Sequence, residues 1–96
     1  MNNRNFILSD FYCTHCGLKN FPIIRQLGKE REPGHLKKIF CLNCNSEQNM
    51  VEIRHKGKYT VNDFWIEYEY NNFNSDGTRK EPWKQFVSKI KQKENI

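Results

Sequence analysis

The chain has 96 residues, with sixteen Lys and Arg against eleven Asp and Glu, a formal charge of +5 and 36% hydrophobic residues. That length suits a single domain, 1–96, too small to bury a large core, so a covalent or metal staple is expected. No stretch is long and apolar enough to span a membrane, and the opening Met1-Asn2-Asn3-Arg4-Asn5 provides no apolar signal-peptide core.

In chain order, Phe6-Ile7-Leu8 and Phe11-Tyr12 predict a strand that runs into Cys13-Thr14-His15-Cys16-Gly17. A second strand leaves at Asn20-Phe21-Pro22-Ile23-Ile24-Arg25, with Pro22 placing it near a sheet edge. Residues 26–34 are charged and contain Gly and Pro, and they read as the exposed tip of a hairpin. His35-Leu36-Lys37-Lys38-Ile39-Phe40 returns as a strand into Cys41-Leu42-Asn43-Cys44-Asn45. Asn49-Met50-Val51-Glu52-Ile53-Arg54 leaves as another, with Val51 and Ile53 on one face and a turn at Lys56-Gly57.

The second half is predicted as helical. Thr60 and Asp63 have the spacing of a capping box, and Val61, Phe64, Trp65 and Tyr68 follow at i, i+3, i+4, i+7. The same stretch also alternates with period two and is rich in strand formers, so residues 61–70 carry a competing strand reading. Residues 74–77 form a turn under either reading. A further helix starts near Pro82, with Trp83, Phe86, Val87 and Ile90 on one stripe and Lys84, Lys89, Lys91 and Lys93 off it. The stripe is expected to pack on the strands.

The only four cysteines form two Cys-x-x-Cys pairs, Cys13/Cys16 and Cys41/Cys44, and each pair is followed by a residue that tolerates positive φ, Gly17 or Asn45. Two such turns suffice for one tetrahedral thiolate site around a single structural Zn²⁺. Disulfides require an oxidising compartment. A thioredoxin-like motif accounts for one pair but not two. The expected location is therefore reducing and cytoplasmic. Four thiolates leave no open position for substrate or water, so the zinc is expected to be structural and the protein not an enzyme. His15, between two ligands, reads as an exposed turn residue. The expected fold class is α+β and β-rich: a zinc ribbon of two β-hairpins over residues 5–56, followed by an aromatic segment and one or two short helices over 57–96.

Charge is segregated. Residues 60–76 hold four acids and no Lys or Arg, while the flanking segments are basic. Four thiolates and one dication bring the formal +5 to +3. A basic surface favours phosphate backbones, with Arg25, Lys37, Lys38, Arg54, Lys56 and Lys58 the candidate phosphate contacts beside Phe40 and Tyr59. The expected partner is nucleic acid or a host nucleoprotein complex. The alternative is protein binding through Trp65, Tyr68 and Tyr70 in the acidic aromatic segment.

Residues 29–44, where a basic stretch with Arg31, Glu32 and His35 runs into Cys41 and Cys44, resemble small zinc-ribbon proteins encoded by bacteriophages and other mobile elements. The resemblance covers about residues 10–55 and supports only the four cysteines residue by residue. It implies a binding protein that acts in the host cytoplasm, modulating transcription or replication. The alternative it leaves is an inhibitor of a host defence system, such as an anti-CRISPR. Residues 38–45 are also similar to the zinc site of HNH nucleases. His35, however, follows Gly34 rather than an acid, and no residue matches that family's general base or catalytic metal ligands.

Overall fold

The computed structural model describes residues 6–26, 32–55 and 57–94. Four strands, β1 (Phe6–Cys13), β2 (Ile23–Gln26), β3 (Leu36–Cys41) and β4 (Ser46–Arg54), precede two helices, α1 (Val61–Glu69) and α2 (Trp83–Glu94). The strands form one antiparallel sheet in the order β2-β1-β4-β3. The protein is thus β-rich α+β, and no helix among the described residues is long and apolar enough to cross a membrane.

Each Cys-x-x-Cys turn joins two neighbouring strands, β1 to β2 and β3 to β4. Pairing of β1 with β4 then fuses the two hairpins, with Asp10 opposite Ile53 and Tyr12 opposite Val51. This corrects one expectation. The strands on either side of the 26–34 arm, β2 and β3, do not pair with each other, because they lie on opposite edges of the sheet. The reason is that β1 takes β4 as its second neighbour, which assembles Tyr12, Val51 and Ile53 into one continuous apolar face. Residues 27–31 of that arm and Lys56 of the expected 56–57 turn lie outside the described residues.

Side chains alternate across a strand, so the sheet has two distinct faces. On one, Val51 and Ile53 pack with Tyr59, Phe64 and Phe73, and with Tyr12, Leu36, Val61, Tyr68 and Trp83 at the margin. The Tyr12 and Phe64 ring centroids are 5.1 Å apart. On the other face, Phe11 and Met50 pack with the cysteines.

Residues 61–69 are helical, which decides between the two periodicities. Thr60 Oγ1 accepts from the Asp63 N–H, and Asp63 Oδ2 accepts from the Thr60 N–H at 2.8 Å. Both are donors that an uncapped helix start leaves unpaired. The helix then buries Phe64 and Glu67 on one side. In α2 the stripe faces inward as expected: Phe86 is buried, Trp83, Val87 and Ile90 are half-buried, and Lys84, Lys89 and Lys91 are exposed. Trp83 meets Tyr59 edge-on with ring centroids 5.1 Å apart.

Candidate metal centre

Neighbouring strands lie about 4.8 Å apart, so β1 and β3, with β4 between them, would be separated by roughly twice that in a flat sheet. The two cysteine turns close that gap. Cys13 Sγ lies 3.8 Å from Cys44 Sγ, Cys16 Sγ lies 3.7 Å from Cys41 Sγ, and all four sulfurs fall within 4.8 Å of one another. Four soft donors converging on one point can bind one metal ion. Cys13 and Cys41 are fully buried, while Cys16 and Cys44 are partly accessible. The centre rests on Phe11 and Met50, both fully buried.

The two turns have the same backbone construction. Gly17 N–H donates to Cys13 O and Asn45 N–H donates to Cys41 O, each at 2.8 Å. Both residues then adopt positive φ, +78° at Gly17 and +56° at Asn45. Gly17 also meets α1 closely: a Cβ there would sit 3.2 Å from the Tyr68 ring and 3.4 Å from Trp65. Tyr68 Oη donates to His15 O at 3.2 Å, so α1 is tied to the back of the first turn.

The sulfurs lie close enough for each to feel its neighbours' charge. Burial, followed by the surrounding thiols, pushes Cys44 up to about 12, and burial also raises Cys13. At Cys41 burial again acts to raise the thiol, but hydrogen bonds from the Cys44 and Asn43 backbone and from the neighbouring thiols outweigh it and bring it to about 7. Burial thus opposes ionisation at Cys13 and Cys44. A dication at the centre of the four reverses that opposition, since thiols that coordinate a metal ion are deprotonated.

Sequence reasoning missed two buried carboxylates. Glu67 on α1 is fully buried. It accepts from Arg79 Nε at 2.7 Å and Arg79 Nη2 at 2.9 Å, from Asn72 Nδ2 at 2.6 Å and from Tyr59 Oη. Arg79 Nη1 continues to Gly34 O at 2.7 Å, linking α1, the segment after it and the approach to β3. Burial and the adjacent Glu67 carboxylate hold the Tyr59 hydroxyl above its ordinary range. The second carboxylate, Glu52 on β4, accepts from Ser9 Oγ at 2.6 Å, Arg25 Nε at 3.1 Å and Arg54 Nε at 3.3 Å. The available signal for Glu67 was its i+3 spacing from Phe64, which puts it on the buried side of α1.

The candidate contact residues are therefore not brought together. Arg25 and Arg54 are engaged with Glu52, with side chains only 19% and 15% exposed. Tyr59 is buried. Lys37 and Lys38 are exposed but, as consecutive strand residues, point to opposite faces. Lys58 is exposed, and Lys56 lies outside the described residues. In the aromatic segment Trp65 packs edge-on against Tyr68 and keeps 38% exposure, Tyr68 is half-buried, and Tyr70 is 58% exposed at the C-cap of α1. His15 is exposed on the turn, and His35 is half-buried.

No known protein-family model, curated protein or solved structure matches this chain.

Proposed function

We propose that the protein is a zinc-stapled, non-enzymatic nucleic-acid-binding module of zinc-ribbon type. The donor set supports zinc: a tetrahedron with metal–sulfur bonds of about 2.3 Å has sulfur–sulfur edges of about 3.8 Å, and the two pairs between the turns lie at 3.7 and 3.8 Å. Four thiolates complete the coordination of zinc, so the ion holds the two hairpins together and activates no water. Cys13, Cys16, Cys41 and Cys44 are its ligands, and His15 stays outside the shell.

The binding reading rests on β3. It is an edge strand that presents Lys37 and Lys38 to solvent, and Lys38 shares its face with the half-exposed Phe40 two residues on. Arg25, Arg54 and Arg79 neutralise internal carboxylates, so the outward positive charge is carried chiefly by lysines. Lysine on an edge strand discourages strand addition, and beside an exposed aromatic ring it suits a phosphate backbone with unpaired bases. Fluorescence anisotropy with a labelled oligonucleotide at several salt concentrations tests this. Lys37→Gln/Lys38→Gln is expected to weaken binding and lower the salt slope by about one, for the phosphate contact of Lys38 on the Phe40 face. Absence of wild-type binding at low salt would remove the proposal.

A specific observation favours protein binding as the second reading. Leu18, Phe21 and Leu42 at the cysteine-turn end are 50%, 75% and 65% exposed. Capture of a host protein that survives nuclease treatment and is lost on Phe21→Ser would favour it.

A further inference from the structure

The connection from α1 to α2 turns back over the sheet next to the first cysteine turn. Asn49 Nδ2 donates to Asp76 O at 2.8 Å, which fixes this connection to β4, and Thr14 Oγ1 donates to Asn49 O at 2.8 Å, which ties the turn to the same residue. A cleft of about 540 Å³ opens between them, bordered by His15, Tyr68, Asn71, Asn74, Ser75 and Lys80. Its volume lies within the range of about 300–1,000 Å³ typical of small-ligand sites.

We infer that this cleft is a nucleotide-binding site that takes one unpaired nucleotide of a single strand, its phosphate at Lys80 and His15 and its base against Tyr68. The inference rests on the nucleic-acid reading above and deepens it. Three observations carry it. First, the border holds a lysine and a histidine but no carboxylate, and His15 offers a ring N–H in either protonation state. Second, at the nearby C-terminal end of α1 the carbonyls of Ile66, Tyr68 and Glu67 are occupied, accepting from the N–H groups of Tyr70, Asn71 and Asn72. Third, an aromatic ring stands beside amide and hydroxyl side chains, the pairing that serves a base's face and its edge. Tyr68 is also held in place, by its bond to His15 O and by Trp65 at a ring-centroid distance of 5.7 Å. A duplex keeps its bases stacked and would leave that aromatic wall unused. Lys38 lies opposite Asn49 in the β3–β4 ladder, and Asn49 is the residue that holds Asp76 of the same connection. The β3 surface and the cleft are therefore neighbours.

The test uses the zinc-loaded full chain and labelled oligothymidylate, with the same sequence as a duplex for comparison. Lys80→Gln/His15→Gln is expected to raise the Kd for the single strand about tenfold, the loss of both contacts to one phosphate with the Tyr68 stack kept. The duplex Kd should change less. Both side chains are exposed, and an unchanged melting temperature and zinc content verify the fold. In parallel, thymidine monophosphate should shift the NMR signals of His15, Tyr68 and Lys80 more than inorganic phosphate or thymidine does. If Lys37→Gln/Lys38→Gln weakens binding but Lys80→Gln/His15→Gln leaves it within twofold, the cleft assignment is overturned and the β3 reading stands. Equal shifts from inorganic phosphate and the nucleotide would also overturn it, because the base would then contribute nothing. If the wild-type protein binds neither strand form, both proposals fall together.

Discussion

Glu67→Gln is the most informative single substitution outside the metal centre. It keeps the side-chain size and removes one charge from a fully buried site. The Arg79 guanidinium, 14% exposed and bidentate on Glu67, loses its counter-charge. Tyr59 Oη and Asn72 Nδ2 keep only a weaker, neutral acceptor. Removing one partner of a buried ion pair costs about 3–5 kcal/mol, a large share of the roughly 5–15 kcal/mol that stabilises a typical domain. At about 4–8 °C per kcal/mol for a domain of this size, the melting temperature should fall by at least about 12 °C. The assay is thermal and urea unfolding of the zinc-loaded protein, followed by circular dichroism and by tryptophan fluorescence, to which Trp83 beside Tyr59 contributes together with Trp65. Arg79→Gln should cost a similar amount, and the double substitution clearly less than the sum, because it strands no buried charge. A Glu67→Gln protein that melts within about 3 °C of wild type, a loss below about 1 kcal/mol, would show that the carboxylate is not the pivot joining α1 to the segment around Arg79.

Further outcomes follow from the same structure. Tyr59 is held above the ordinary tyrosine range by burial and then by Glu67, so the folded state keeps a proton that the unfolded chain sheds near pH 10. Its stabilising contribution is complete below pH 10 and is lost above it, at up to about 1.4 kcal/mol per pH unit. The difference in unfolding free energy between wild type and Tyr59→Phe should therefore shrink between about pH 10 and 11, and a constant difference would refute the assignment. Gly77→Ala should destabilise by about 2 kcal/mol or more, since φ is +86° and the added Cβ would lie 2.6 Å from Thr14 Oγ1 and 2.7 Å from Asn49 Cβ. A melting temperature equal to wild type would contradict the close docking of the 74–78 turn. Chelation of the metal should unfold the cysteine-turn end and collapse the amide dispersion of β1 to β4, because ligand binding and folding are coupled in small metal-stapled domains. Retention of native dispersion after chelation would show that the apolar faces suffice alone.

Local signals carried most of what was legible in the sequence. The Cys-x-x-Cys pairs with Gly17 and Asn45 after them specify both turns through short-range geometry. The Thr60/Asp63 box marks the start of α1 for the same reason, and the stripe of α2 follows from helical spacing alone. What the sequence did not reveal is long-range. Whether β2 pairs with β3 or takes the far edge depends on β1 accepting β4, a choice made by the shared face of Tyr12, Val51 and Ile53. The burial of Glu67 with Arg79 and of Glu52 with Arg25 was hidden because each pair joins residues far apart in the chain, and Arg54 joins Glu52 from two residues along β4. The basic stripe expected from Arg25 to Lys58 divides for that reason into internal arginines and exposed lysines. Lys80 was overlooked because the cleft it borders exists only once the 74–78 turn docks on Asn49.

The most direct test of the central claim is X-ray absorption at the zinc edge on protein purified with its native metal, alongside elemental analysis of metal per chain. The account predicts one zinc per chain with four sulfurs at about 2.3 Å and no light-atom ligand. A shell containing nitrogen at about 2.0 Å would bring His15 into the coordination sphere in place of a thiolate. A substoichiometric metal content with oxidised cysteines would contradict the metal staple itself.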